Sequence, residues 1–220
     1  MTKPIGIIAD AEPGAQGFDT NAVVTSELAR AFAADGYRFC VRYVSHREDE
    51  GAHDMTTSEA EAILAAGLAL MLVQHVRRPG HWAPTAALGG KDGQLAAHYA
   101  AELGCPPGLS LWCDLEGAGT QTADIIAYAN AWYEAVHGAS FTPGLYVGTF
   151  ALSGLQLYRQ LAFTSYWKAG MKVADVETRG YQMLQHGPGP AKTIQYDRDT
   201  IMSDHLRGLP RWLVRAPSQS

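Results

Sequence analysis

The chain has 220 residues, a formal net charge of −5, and 47% hydrophobic and 18% charged residues, the balance of one globular domain with a sizeable core. With a pI near 5.9 and basic residues scattered along the chain, there is no electrostatic basis for nucleic acid or an anionic membrane as partner. Its three cysteines, Cys40, Cys105 and Cys113, are odd in number and form no CxxC, which describes neither a disulfide framework nor a zinc site.

In chain order, Met1–Asp10 has one lysine and too short an apolar run for a signal peptide. No stretch approaches the ~18 apolar residues of a membrane span. The expectation is a protein that is cytoplasmic as synthesised, with any export by a non-classical, effector or phage-lysis route. Residues 4–9 suit a short leading strand and Gly17–Thr20 a second, with Thr20 or Asn21 capping a helix through Val24, Leu28 and Phe32. Arg38–Ser45 is the next strand, followed by a polar loop to Asp54. Thr56-Thr-Ser-Glu59 has the spacing of a capping box, in which hydroxyl and carboxylate each accept a bond from the other's backbone amide. Leu68–His75 is apolar on both faces, as a helix-covered strand must be. After a Gly/Pro loop with Trp82, Asp92 is expected to open a helix that closes at Gly104.

Leu109–Glu116 is a short apolar run ending in two carboxylates, Asp114 and Glu116. Side chains two apart on a strand share a face, so both acids would project side by side. A permissive Gly117-Ala-Gly119 loop follows where a cap would leave only a helix. A helix over about 122–137, a strand at Pro143–Gly148 and a helix over 151–161 come next. The last third offers strand candidates Thr164–Ala169, Gly180–Gln185 and Thr193–Asp197, with short or missing helices between them. Counted from Gly17 there are eight strands. Alternating strands and helices imply a parallel sheet, so the expected fold is α/β, a single (β/α)8 TIM-like barrel over residues 1–213 with a disordered tail at 214–220. A doubly wound open sheet is the alternative. Polar residues recur at the strand C-termini, where barrel active sites sit: Asp19, Arg42, Gln74, Asp114, Glu116, Tyr146, Trp167, Gln185, Asp197 and Asp199.

Gly17-Phe-Asp-Thr20, Arg42-Tyr-Val44, Leu111-Trp-Cys-Asp-Leu-Glu116, Gly144-Leu-Tyr-Val-Gly148, Tyr166-Trp167 and Tyr196-Asp-Arg-Asp199 together resemble the bacterial glycoside-hydrolase-like barrels grouped as domain-of-unknown-function family 1906. The resemblance runs from about Gly17 to Trp212. That family is in turn similar to the family 25 lysozymes, which cut the β-1,4 bond after N-acetylmuramic acid. In those lysozymes an Asp on strand one, a D-x-E on strand four and a late D-x-D line the site, positions held here by Asp19, Asp114/Glu116 and Asp197/Asp199. The resemblance implies Glu116 as general acid, and Asp114 orienting it or stabilising the developing positive charge.

Glycoside hydrolysis needs one protonated carboxyl at the leaving oxygen and a second carboxylate in support, which makes Glu116, Asp114, Asp19 and Asp197 the catalytic candidates. Asp199, Arg42, Gln74, Tyr146, Trp167 and Tyr196 are the substrate-binding candidates; the aromatic ones offer flat apolar faces to a pyranose. The bland alternatives are solvated loop acids, a structural ion pair for Arg42, and aromatic filling of the barrel top. None of the eight histidines shows HxxxH or HxH spacing; no metal and no cofactor is expected, and a metal-dependent hydrolase using His75 or His186 is the remote reading. The expected partner is a carbohydrate polymer such as peptidoglycan, and a non-catalytic glycan-binding barrel is the runner-up. No protein partner is indicated.

Overall fold

Strands sandwiched between a barrel core and a ring of helices must be apolar on both faces, and Ala69–Val73 and Leu109–Cys113 meet that demand with every residue buried. A computed structural model describes residues 4–46, 51, 53–75, 77–78, 80–149 and 151–217. In chain order the elements are β1 (Ile7–Asp10), β2 (Gln16–Thr20), α1 (Ser26–Ala34), β3 (Phe39–Val44), α2 (Thr57–Ala65), β4 (Ala69–Gln74), α3 (Ala86–Glu102), β5 (Ser110–Asp114), α4 (Thr122–Gly138), β6 (Thr142–Val147), α5 (Gly154–Arg159), β7 (Tyr166–Lys168), β8 (Met183–Pro188), β9 (Asp197–Ile201) and β10 (Arg211–Val214).

Strands β2 to β9 close into an eight-stranded barrel in the order β4-β3-β2-β9-β8-β7-β6-β5, sealed by the β4–β5 pairing. This is the expected TIM-like barrel, with one difference. Seven strands are parallel, but β9 runs antiparallel to both β2 and β8. It forms a hairpin with β8 and starts at Asp197, where the sequence suggests a strand ending there. Outside the barrel, β1 and β10 form an antiparallel ribbon that touches β4 through Leu213 and Leu70. Val214 therefore belongs to a paired strand instead of a tail, and residues 218–220 lie outside the described residues, as do residues 47–50 and 52 of the loop after β3.

The helix starts also differ from expectation. Helix α1 is capped by Thr25, whose side chain accepts the Leu28 amide, one turn later than Thr20 or Asn21. Helix α3 begins after Thr85, so Asp92 is an interior residue; its buried carboxylate binds Arg77 at 2.5 and 2.8 Å and the Tyr128 hydroxyl at 2.6 Å. Thr56 does cap α2, but the Glu59 side chain turns away from it to a tertiary partner described below. The reciprocal capping box occurs instead at Ser153 and Gln156, which start the six-residue α5. Among the described residues no helix is long and apolar enough to cross a membrane.

Inside and outside of the barrel follow from strand alternation. On β2, Phe18 points out and stacks on Phe32 of α1 with ring centroids 3.7 Å apart, while Gly17 and Asp19 point in. Facing Gly17, the inward Phe39 ring fills the space that a side chain there would need. The same device recurs at Gly144, whose missing side chain makes room for the fully buried Trp112. These large rings plug the barrel core, so the functional groups can lie only above them.

Candidate active site

The parallel strands end at Thr20, Val44, Gln74, Asp114, Val147, Lys168 and Pro188, all at one mouth of the barrel. Because β9 is reversed, its first residues arrive at that same mouth. In the β2–β9 register Gly17 lies opposite Asp199 and Asp19 opposite Asp197. Opposed residues and residues two apart share a face, so Asp19, Asp197 and Asp199 all face the barrel interior. A cleft of about 530 Å³ opens beside them, lined by Asp19, Tyr43, Asp197, Gln195, Tyr196 and the Pro188–Lys192 turn.

Across the mouth, β5 ends in the paired acids. Asp114 lies opposite Tyr146 of β6, and its Oδ1 accepts the Glu116 backbone N–H at 2.9 Å. That local turn continues through Gly117, whose φ of 74° a side chain would resist. The Glu116 carboxyl then packs over Gly148, where a methyl group would collide with it. Both acids are partly exposed, whereas Leu115 between them is buried in the core.

A hydrogen-bonded chain links the two sides. The Tyr146 hydroxyl donates to Gln185 Oε1 at 2.9 Å, and Gln185 Nε2 donates to Asp19 Oδ2 at 2.8 Å. Tyr146 also stands edge-on to Trp167, with centroids 4.6 Å apart, and Trp167 Nε1 donates to Asp199 Oδ1 at 2.9 Å. Burial among these groups penalises charge. It pushes Asp114 up to about 8, assisted by the charges of Glu116 and Asp19 and opposed by the Glu116 amide. Asp19 rises to about 7, again chiefly through burial, with the Gln185 bond working against the rise and the Asp197 charge adding to it. Burial also raises Asp197 and, more strongly, Asp199, as well as the Tyr43 and Tyr146 hydroxyls. The mouth therefore holds protonated carboxyls near neutral pH, an arrangement suited to proton donation.

Of the residues singled out from the sequence, the fold brings Asp19, Asp114, Glu116, Asp197, Asp199, Tyr146 and Trp167 together around the mouth. Arg42 is not among them. It points outward from β3, fully buried, and its guanidinium binds Glu59 of α2 at 2.6 and 3.3 Å, Thr20 O at 2.8 Å and His53 O at 3.0 Å. Four of its five N–H donors are spent on structure and the side chain is fully buried, which places it away from any substrate. Gln74 also faces outward: its amide donates to Ser45 O and Asp92 O, and its carbonyl accepts Trp132 Nε1 at 2.7 Å. Trp167 and Asp199 are buried and form the floor of the site, beneath any surface that a sugar could touch. Tyr196 borders the cleft, but its ring packs edge-on against Phe18, Phe32 and Tyr37 outside the sheet.

Tyr43 is a member that sequence reasoning does not select, and Gln185, which the sequence places only among the polar strand ends, gains a role in the site. Tyr43 is the inward neighbour of Arg42, lines the cleft, and lies against His75 with centroids 4.6 Å apart. Strand alternation is the signal that could have found it: with Arg42 outward, Tyr43 must be inward. Among the described residues no group of three or more His, Cys, Asp or Glu side chains is arranged to hold a metal. His75 pairs with Asp54 at 3.1 Å and His186 with Thr200 at 2.8 Å.

Residues 30–200 match the family model of the Rv2525c-like, glycoside hydrolase-like domain. The chain belongs to that family. No curated protein matches it in sequence. Among solved structures, this Rv2525c-like barrel is similar to the Mycobacterium tuberculosis Tat-secreted protein Rv2525c, with 16% identity and a TM-score of 0.68 over 90% of this chain and 99% of that one. An uncharacterized B. stearothermophilus protein gives 21% identity and a TM-score of 0.65 over 86% and 96% of the two chains. The bacterial lysozyme from Streptomyces coelicolor gives 12% identity and 0.56 over 90% and 96%. At these identities the likeness establishes a shared glycosidase-like fold, and chemistry has to be argued from the site.

Proposed function

We propose that this Rv2525c-like barrel is a glycoside hydrolase that cleaves a β-linked amino-sugar polymer, with peptidoglycan as the substrate class. The observation that carries the reading is the convergence of Asp114, Glu116, Asp19 and Asp197 on one mouth, where burial lets the Asp114 and Asp19 carboxyls retain protons near neutrality. In this reading Glu116, held over Gly148, protonates the leaving oxygen. Asp114 fixes the turn that presents Glu116, and Asp19 and Asp197 line the opposite wall and, in their ionised form, stabilise positive charge developing on the sugar. Tyr146 and Tyr43 supply the aromatic surface between them. The lysozyme among the structural neighbours and the Tat-secreted Mycobacterium tuberculosis relative support a wall substrate reached by export.

A second assignment has its own support. Asp114 is the acid that burial drives to about 8, so Asp114 itself could deliver the proton. Reducing ends released from purified peptidoglycan decide between them. Glu116→Gln is expected to lower turnover by ~10²–10⁴-fold, with Asp114→Asn losing less. A larger loss in Asp114→Asn would move the acid to Asp114. Equal turnover by wild type and Glu116→Gln would remove Glu116 from the mechanism.

A further inference from the structure

The lower wall of the mouth contains a carboxyl group with no partner suited to its charge. Asp199 is fully buried, its Oδ1 accepts the Trp167 indole N–H, and among the described residues no N–H or O–H group reaches its Oδ2. Diagonally across the β2–β9 register, on the same interior face, stands the Asp19 carboxyl, whose charge penalises that of Asp199. The register explains the approach: Asp199 sits opposite Gly17, two residues from Asp19, so that the two acids are diagonal neighbours on one face. Two carboxylates placed this way repel, whereas a carboxylic acid beside a carboxylate makes a strong hydrogen bond. A buried acceptor without a donor is also costly, and one proton between the pair removes both penalties.

We propose that Asp199 is a positioning residue that shares a single proton with Asp19 and thereby holds Asp19 in the barrel mouth, in the role given to it above. Trp167 anchors the far oxygen of Asp199, and Gln185 anchors Oδ2 of Asp19, so the pair is clamped from both ends. The clamp runs on through Gln185 to Tyr146, tying β2 and β9 to β6 and β8. Other titratable groups facing the pair are Asp197 on β9, Tyr43 on β3, Tyr146 on β6 and, towards Asp19, Asp114 on β5. None lies between the two carboxyls by register, so the shared proton belongs to Asp19 and Asp199. In this arrangement Asp19 presents one oriented carboxyl to the substrate side, and Asp199 never touches substrate.

The test is an NMR titration of the aspartate carboxyl carbons in the full chain, read without substrate. In the wild type Asp19 and Asp199 should respond together in two separated steps, since interacting acids titrate as a pair. Asp199→Asn should collapse this to one Asp19 step, moved down by about one pH unit or more, because the amide can donate where an acid repelled. Trp167→Phe, which removes only the donor on Oδ1, should move the pair's steps upward. Independent single steps near the ordinary carboxylate range in the wild type would overturn the proposal, and so would an Asp19 curve unchanged by Asp199→Asn. Because the titration needs no turnover, paired steps without hydrolysis would count against the glycosidase reading alone, and hydrolysis without paired steps against this inference alone.

Discussion

Arg42→Ala is expected to lower the unfolding free energy by ~3–5 kcal/mol, the usual cost of removing one partner of a buried ion pair. The substitution strands Glu59, whose side chain is 3% exposed, with the Val24 amide, 2.7 Å away, as its one remaining donor among the described residues. It also frees the carbonyls of Thr20 and His53 that the guanidinium ties down. A domain of this size has a total stability of ~5–15 kcal/mol, so the variant should unfold at a much lower urea concentration. Arg42→Met combined with Glu59→Leu should recover part of the loss, because an apolar pair of similar volume no longer buries an unpaired charge. A substrate clamp would behave in the opposite way. If Arg42→Ala left the urea midpoint unchanged and raised KM, the outward placement of Arg42 would be wrong.

The second large effect is a fall in stability from mild acid to mild alkali. An unfolded aspartate titrates near ~3.9, whereas folded Asp114 and Asp19 hold their protons to about 8 and about 7. Between those values the folded state binds more protons than the unfolded state, so unfolding free energy decreases as pH rises. The loss begins above pH ~4 and for Asp114 is complete only above about 8. His75 has the opposite sign: burial lowers its pKa, so its contribution rises with pH. Asp114→Asn isolates the acid, since the amide cannot ionise. We expect it to gain ~2–3 kcal/mol over wild type at pH 8.5 and little at pH 4.5, after discounting the nominal shift for partial exposure. Urea melts at both pH values measure this, and a gain of equal size at both would contradict the retained proton.

Much of the fold is legible in the sequence because apolar runs of strand length, separated by helical periodicity, leave few architectures open. The paired acids at Asp114 and Glu116 stand out for the same reason, since polar residues ending a buried strand are conspicuous. The direction of β9 is less so. Asp197 and Asp199 share a face whether the strand runs up or down, and the Gly187-Pro-Gly-Pro turn could serve either a hairpin or a crossover. Tertiary partners are also hidden. Nothing local tells Glu59 to abandon its place in a capping box for Arg42, seventeen residues earlier. Four capping side chains lie between Thr20 and Ser26, and local preference cannot choose among them. Arg42 attracted a role at the mouth that belongs to its neighbour Tyr43, because a charged residue in an apolar run suggests function before alternation is applied.

The most direct measurement is mass analysis of what wild-type protein releases from purified, borohydride-reduced peptidoglycan. The account predicts soluble muropeptide fragments carrying newly formed sugar reducing ends, accumulating with time and protein concentration. Folded protein that pellets with the wall while no new reducing ends form would contradict hydrolysis and leave a glycan-binding barrel.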